Sequence, residues 1–195
     1  MQRSAHNLYS IPNILSMLRL ALVPLLVWLA SAQEGSIFLL VLAVSLISDV
    51  LDGYFARKLN QASELGAKLD SWGDILTYAA MILGLYLIWP DIFDKQAEFL
   101  LATMLAFTLP TLLAFRKFGE YPSYHTWGAK LAAVLMAPAY YVLILSDADS
   151  FFRIVILFHV LVAAEEVAIT FILNQPRSNV GSVFYLRADL SSRHK

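Results

Sequence analysis

Six long apolar segments limit the folds open to this 195-residue chain more than any other feature of its sequence. Each is close to the roughly 20 residues that a helix needs to cross the hydrocarbon core of a bilayer. Charged residues make up 15% of the chain, against about 25% in an ordinary soluble domain. The sequence therefore predicts an all-α polytopic membrane protein with six transmembrane helices in a single domain over 1–195. The segments cover about residues 11–32, 36–57, 66–89, 97–115, 127–146 and 151–173.

The links between these segments fall into two sets that differ in charge. The links at 32–35, 89–95 and 146–149 are predicted turns on one side, and only Lys95 and Arg153 fall with them. Because Lys and Arg are concentrated in cytoplasmic loops, we expect both termini in the cytoplasm and an integral protein of the bacterial inner (cytoplasmic) membrane. The cations expected on the cytoplasmic side are Arg3, Arg19, Arg57, Lys58, Lys68, Arg116, Lys117, Lys130, Arg177, Arg187, Arg193 and Lys195.

The overall charge and the chain ends carry three further expectations. A net charge of -1 without a basic block argues against a nucleic-acid partner. The first apolar segment lacks a small-residue cleavage pattern before the second begins, so we expect a retained helix and not a signal peptide. The tail from Asn174 onward, which contains Pro176 and Gly181, is expected to be a surface segment.

Four aspartates stand at fixed spacings where the second and third segments approach the cytoplasmic side. At 100° per residue, Asp49 and Asp52 share one arc of the second helix, and Asp70 and Asp74 share one stripe of the third. Ionisable groups at membrane depth are costly unless they are paired or bound to a metal, so these acids predict a functional cation site. The full frame is Asp49-x2-Asp52-Gly53-x2-Ala56-Arg57-x8-Gly66-x3-Asp70-x3-Asp74.

The residue types in this frame indicate which chemistry it could support. Carboxylate oxygens without Cys or His favour Mg²⁺ or Mn²⁺ over Zn²⁺, and two such ions would cancel four negative charges. A two-metal centre suits phosphoryl transfer. Gly53, Ala56 and Gly66 would let a nucleotide approach the backbone, although small residues also suit helix packing. Arg57 offers a rigid fork for phosphate oxygens, or it is an ordinary cytoplasmic anchor.

At every fixed position this frame resembles the signature of the CDP-alcohol phosphotransferases. The opening Ile11-Pro12-Asn13-Ile14-Leu15-Ser16-Met17-Leu18-Arg19 is also similar to the first helix of bacterial phosphatidylglycerophosphate and cardiolipin synthases. The resemblance implies a six-helix, usually homodimeric enzyme, with its site between the second and third helices, that displaces CMP from a CDP-linked lipid with an acceptor alcohol. It implies metal ligation by Asp49, Asp52 and Asp70, a shared metal and general-base role for Asp74, and CDP binding at Gly53, Ala56, Arg57 and Gly66.

Polar residues outside the frame are weaker candidates. By the resemblance, Asn13 and Arg19 are expected to reach the diphosphate or the acceptor, or they form a polar cluster at the start of the first helix. Two glutamates in the sixth segment, Glu165 and Glu166, have no evident role; one of them could pair with Lys130 or Arg116, and one could face an interface. The cations expected near an anionic acceptor, or as membrane anchors, are Arg116, Lys117, His125 and Lys130.

The acceptor alcohol stays open at the level of sequence. Enzymes that use glycerol 3-phosphate or phosphatidylglycerol commonly have Pro after the third aspartate and Lys after the fourth, whereas this chain has Ser71 and Ile75. The cytoplasmic cations favour glycerol 3-phosphate, with inositol phosphate, inositol, serine and phosphatidylglycerol as alternatives. A cation-coupled transporter or a non-catalytic membrane scaffold would use the acids without chemistry, but transport favours inverted repeats, which the sequence does not display.

Overall fold

The computed structural model describes residues 10–59, 61, 63–119, 124, 126–146, 148–177 and 180–186. Among them are six α-helices, each long and apolar enough to cross a membrane, and no β-strand. The predicted all-α membrane fold is therefore confirmed. His125 and the cations Arg3, Arg187, Arg193 and Lys195 lie outside the described residues. The helices are α1 (Ile11–Ser31), α2 (Gly35–Lys58), α3 (Glu64–Ile88), α4 (Pro90–Phe118), α5 (Trp127–Ser146) and α6 (Asp149–Ile172).

Two helix starts that border the acid frame have serine caps. The Ser10 hydroxyl accepts a bond from the backbone N–H of Asn13 at 3.4 Å and begins α1. The Ser63 hydroxyl accepts from the N–H of Gly66 at 3.0 Å and begins α3 at Glu64, two residues before the apolar segment. Such side chains satisfy backbone donors that have no partner within the helix.

The predicted turn at 89–95 is wrong beyond its first residue, because α4 begins at Pro90. Proline suits the first helical position, where its fixed φ is helical and its missing N–H would have had no acceptor. Asp91 then lies in the first turn, where the helix dipole favours a negative charge. A charged helix start therefore replaces the loop that hydropathy alone suggests.

The chain divides into two compact units, the first of which spans Met1–Lys95. Within it α1 packs against both α2 and α3, while α2 and α3 touch one another less. Leu26 of α1, Phe38 of α2 and Leu85 of α3 are almost completely buried. The backbone of Gly84 lies against the Phe38 ring, with no room for a Cβ atom between them. The close packing of α1 brings the polar residues of that helix to the two helices that carry the aspartates.

The second unit spans Gln96–Lys195, and in it α5 packs against α6. The described part of its C-terminal segment lies mostly at the surface, as expected, but Leu186 is 3% exposed and packs with Tyr124, Ile169 and Leu173. The backbone N–H of Val180 also donates to the carbonyl of Tyr124 at 2.9 Å. These contacts attach the described part of the tail to the end of α6.

Glu165 of α6 holds this C-terminal segment in place. Its Oε1 accepts bonds from the Ser182 hydroxyl at 2.8 Å and from the backbone N–H of Val183 at 3.0 Å. No ion pair joins either glutamate to Lys130 or Arg116 in the part of the chain that the structure describes, so the expected pairing is wrong. Glu165 instead caps the short helical turn at 183–186.

Replacement of Glu165 by Ala should lower the free energy of unfolding by about 1–2 kcal/mol, because two partly buried donors lose their acceptor. Thermal unfolding in detergent measures the effect, and limited proteolysis should show earlier cleavage of the C-terminal segment. Glu165→Gln retains one carbonyl oxygen and should be affected less. The matched control is Glu98→Ala, since Glu98 is exposed on α4. Equal behaviour of Glu165→Ala and Glu98→Ala would contradict the capping role.

Candidate functional site

Arg19 of α1 lies at the centre of the four aspartates. It is 1% exposed, although a guanidinium is rarely buried without partners. Its Nη1 donates to Asp49 Oδ1 and, at 2.9 Å, to Asp74 Oδ1. Its Nη2 donates to Asp70 Oδ1 at 2.6 Å and lies 3.8 Å from Asp52 Oδ2. One guanidinium thus makes ion pairs with every carboxylate of the frame.

Asp52 differs from the other three aspartates in burial and in its main partner. Its side chain is 7% exposed, whereas those of Asp49, Asp70 and Asp74 are 36%, 45% and 43% exposed. The Ser16 hydroxyl donates to Asp52 Oδ2 at 2.7 Å and is itself buried. Because the Ser16 bond fixes one oxygen of Asp52, this carboxylate is oriented within the core of the first unit.

The other three carboxylates could together hold a metal ion. One oxygen from each of Asp49, Asp70 and Asp74 lies within 4.8 Å of the others. These donors are all carboxylate oxygens, the ligands that Mg²⁺ and Mn²⁺ prefer. Within the described ranges the four aspartates form ion pairs only with Arg19, which leaves three of their formal negative charges without a cation. Both the donor set and the remaining charge therefore fit divalent cations.

A cavity of about 160 Å³ opens beside the acid cluster in the first unit. It contains three of the four positions that the resemblance assigns to CDP binding, namely Gly53, Ala56 and Gly66. A Cβ atom on Gly66 would lie 2.7 Å from Asn13 Oδ1, so any larger residue would push the Asn13 amide aside. The complete lining consists of Pro12, Asn13, Ser16, Asp52, Gly53, Ala56, Gln61, Ser63, Gly66 and Asp70.

The other predicted residues that the structure describes are not in the lining of this cavity. Arg57 is exposed and does not line the cavity, although its Nη1 would lie only 3.4 Å from a Cβ atom on Gly53. In the second unit, Arg116 is exposed in the last turn of α4, and the Lys130 ammonium lies 5.1 Å from the centre of the Trp127 ring. His125 is outside the described residues.

Sequence reasoning missed the partnership of Ser16 with Asp52 and the contribution of Gln61 and Ser63 to the cavity. One signal was available for the α1 residues. Asn13, Ser16 and Arg19 recur every three positions in an otherwise apolar helix, and residues three apart are neighbours on a helix surface. Polar residues at that spacing in a membrane helix indicate a shared polar partner, which here is the acid frame.

Comparison with known proteins gives one family match and several relatives. A family model described as CDP-alcohol phosphatidyltransferase matches residues 9–172. A cardiolipin synthase (CMP-forming) of Streptomyces coelicolor is 38% identical over 144 residues, which cover 71% of this chain and 66% of that protein. The cardiolipin synthase (CMP-forming) of Rattus norvegicus is 37% identical over 83 residues, which cover 42% of this chain and 28% of that protein.

A third relative carries a different name. A CDP-diacylglycerol--glycerol-3-phosphate 3-phosphatidyltransferase of Aquifex aeolicus is 40% identical over 75 residues, which cover 37% of this chain and 42% of that protein. The chain thus spans less than two thirds of the length of each of these three relatives. No solved structure is significantly similar to it.

Proposed function

We propose, because this chain belongs to the CDP-alcohol phosphatidyltransferase family, that it transfers a phosphatidyl group from a CDP-linked lipid to an acceptor alcohol and releases CMP. One observation carries the proposal. The cluster of Asp49, Asp70 and Asp74 lies beside a cavity in which Asp52 and Asp70 share the lining with Gly53, Ala56 and Gly66. A diphosphate bound there would lie near the acids and near a backbone left open by small residues.

The reaction that we propose is a displacement at phosphorus. The acceptor hydroxyl oxygen bonds to the phosphorus of the lipid phosphate, the bond from that phosphorus to the oxygen of CMP breaks, and CMP leaves with that oxygen. The hydroxyl proton passes to a carboxylate oxygen of Asp74. The family resemblance assigns this role to Asp74, whose side chain is 43% exposed at the cluster, whereas Asp52 is buried and already accepts the Ser16 hydroxyl.

We propose that Asp49, Asp52, Asp70 and Asp74 hold two divalent ions, Mg²⁺ or Mn²⁺. When bound, such ions neutralise diphosphate charge and stabilise the leaving group. Gly53, Ala56 and Gly66 would admit the CDP moiety, and Arg57 would contribute a guanidinium to its phosphate oxygens. Asn13, whose amide faces Gly66 in the cavity, would orient the same ligand.

We infer that the acceptor carries the terminal hydroxyl of a glycerol phosphate, either free or as the headgroup of phosphatidylglycerol. The name of the Aquifex relative gives glycerol 3-phosphate as the acceptor. The name of the Streptomyces relative fits phosphatidylglycerol, since phosphatidyl transfer to phosphatidylglycerol yields cardiolipin. The Streptomyces relative covers more of this chain than the Aquifex relative, and this difference favours phosphatidylglycerol. The cytoplasmic cations Arg116, His125 and Lys130 stay proposed contacts to the acceptor phosphate.

We further propose that the protein is a homodimer with a single domain over 1–195, placed in a bacterial inner membrane with both termini in the cytoplasm. The excess of Lys and Arg among the links on one side supports this orientation. The family resemblance supports the dimer.

Purified protein supplied with CDP-diacylglycerol, Mg²⁺ or Mn²⁺ and one acceptor at a time should release CMP. The acceptors are glycerol 3-phosphate, phosphatidylglycerol, inositol phosphate, inositol and serine, and each phosphatidyl product is identified by mass spectrometry. We expect release with phosphatidylglycerol or glycerol 3-phosphate and none in excess EDTA. Absence of CMP release with every acceptor would contradict the enzyme and favour a transporter or scaffold. The most active acceptor assigns the reaction.

A further inference from the structure

Gly73 forms the surface against which the Arg19 guanidinium rests. A Cβ atom on Gly73 would lie 2.6 Å from Arg19 Nε and 2.9 Å from both Cζ and Nη2. Real Cβ atoms essentially never approach heavy atoms this closely, so even alanine at position 73 would displace the guanidinium. Gly73 stands inside the acid frame, directly before Asp74. The frame therefore contains, besides its carboxylates, a glycine that leaves room for the Arg19 guanidinium.

We propose that Arg19 is a built-in counter-cation that occupies the acid cluster in the absence of divalent ions and must withdraw when they bind. This inference rests on the proposed metal site. Arg19 bonds to the same three carboxylates, Asp49, Asp70 and Asp74, whose oxygens lie within 4.8 Å of one another. An ion held by these oxygens and the guanidinium would compete for the same lone pairs.

Deprotonation cannot resolve this competition. The guanidinium stays charged at any pH at which the protein is folded, and two cations close together in a site of low dielectric constant repel each other strongly. Metal binding therefore has to move the Arg19 side chain away from the carboxylates. The bonding of Arg19 is compatible with such a release. Its Nε is buried and donates no hydrogen bond to any residue in the described part of the chain.

The Arg19 ion pairs reduce the electrostatic repulsion within the acid cluster of Asp49, Asp52, Asp70 and Asp74. Without any cation, four carboxylates would repel one another at a depth where each is already costly. Arg19 offsets part of that repulsion in the newly folded protein, before metal arrives. The same contacts must weaken metal binding, because whatever stabilises the metal-free state opposes the ligand by an equal free energy.

The test compares Mn²⁺ affinity and unfolding temperature in wild type, Arg19→Gln and Gly73→Ala. Full-length protein in detergent is stripped with EDTA, free Mn²⁺ is titrated by electron paramagnetic resonance, and thermal unfolding is recorded with and without Mn²⁺. Arg19→Gln should bind Mn²⁺ about tenfold more tightly, within the range of typical coupling between two ligands. It should unfold at a lower temperature in EDTA and show a larger rise on addition of Mn²⁺.

Gly73→Ala keeps the arginine, but its Cβ atom fills the space in which the Arg19 guanidinium lies. This variant should therefore also bind Mn²⁺ more tightly than wild type. It decides the test if Arg19→Gln does not fold. The matched control is Arg153→Gln, because Arg153 in the second unit also pairs with an aspartate, Asp149, at 3.1 Å. Its Mn²⁺ affinity should equal that of wild type.

Equal or weaker Mn²⁺ binding by both Arg19→Gln and Gly73→Ala would overturn the counter-cation role while leaving the metal site intact, provided that wild type binds Mn²⁺ and Asp70→Asn does not. If wild type binds no Mn²⁺, the metal site of the proposed function fails, and the competition fails with it.

Discussion

Replacement of Asp70 by Asn should reduce metal-dependent CMP release by about a thousandfold or more. Asp70 contributes one of the three carboxylates whose oxygens lie within 4.8 Å, and it also lines the adjacent cavity. An amide is neutral, so the change removes one negative charge from the proposed metal site with almost no change of shape. Metal ions typically provide several kcal/mol of transition-state stabilisation, and each 1.36 kcal/mol is a factor of ten in rate.

The Asp70→Asn measurement needs a check on folding, because Asp70 Oδ1 is also 2.6 Å from Arg19 Nη2. Size-exclusion elution and the unfolding temperature in EDTA should stay close to those of wild type, since Arg19 retains Asp49 and Asp74 as partners. Asp94→Asn is the matched control, because Asp94 is exposed near the start of α4. It should release CMP at the wild-type rate. Undiminished CMP release by Asp70→Asn would remove the acid cluster from the reaction.

The six helices are predictable from this sequence because the bilayer leaves an extended apolar segment few alternatives. A backbone in hydrocarbon has to satisfy its polar groups internally, and a helix does so within one segment. The start of α4 was not predictable in the same way. The polar residues after Pro90 favour a loop when hydropathy alone is considered. The helix nevertheless includes them, because proline suits the first helical turn and α4 begins at Pro90.

The four aspartates were predictable as a group, but the cation among them was not. Helical spacing places Asp49 with Asp52 and Asp70 with Asp74. Because an isolated carboxylate at membrane depth is costly in free energy, the two pairs are expected to share one cation site. Spacing does not say which face of α1 meets α2 and α3, because that helix is apolar around most of its surface. Arg19 also has a long flexible side chain, which could equally reach a phosphate or the membrane surface.

The roles of single glycines and the partners in long-range hydrogen bonds could not be predicted from the sequence either. Gly73 is one of several glycines in the chain, and only the position of the Arg19 guanidinium distinguishes it from an ordinary packing residue. The sequence left open whether Glu165 or Glu166 pairs with a cation, and in the structure Glu165 accepts from Ser182 and from the Val183 backbone. Hydroxyl and backbone donors outnumber charged ones in any chain, so residue type alone could not select these partners.

The structure divides the four aspartates into two pairs, and the proposed base belongs to the second. Asp52 is buried against Ser16 and Asp70 belongs to the cavity lining, whereas Asp49 and Asp74 do neither. Asp74 follows Asp70 by one helical turn and contacts Arg19 Nη1 at 2.9 Å. A carboxylate outside the cavity lining could take a proton from an acceptor alcohol without holding the CDP moiety, as the proposed role of Asp74 requires.

Asp74→Asn should therefore lower kcat much more than it weakens binding of CDP-diacylglycerol. Loss of a general base typically reduces the rate by about 10²–10⁴-fold, because the amide cannot take the hydroxyl proton. The KM for CDP-diacylglycerol and its dissociation constant should change by only a fewfold, since the cavity residues Gly53, Ala56 and Gly66 are untouched. Steady-state kinetics with the preferred acceptor and a separate binding titration measure the two effects.

Asp49→Asn provides the comparison, because Asp49 belongs to the same triad of carboxylates but is not a proposed base. It should lose Mn²⁺ affinity together with turnover, whereas Asp74→Asn should retain more of its Mn²⁺ affinity at the same loss of turnover. Mn²⁺ titration of both variants distinguishes a base from a ligand. If Asp49→Asn, Asp70→Asn and Asp74→Asn lose CDP-diacylglycerol binding, Mn²⁺ binding and turnover in the same proportion, Asp74 is one more metal ligand and the hydroxyl proton leaves by another route.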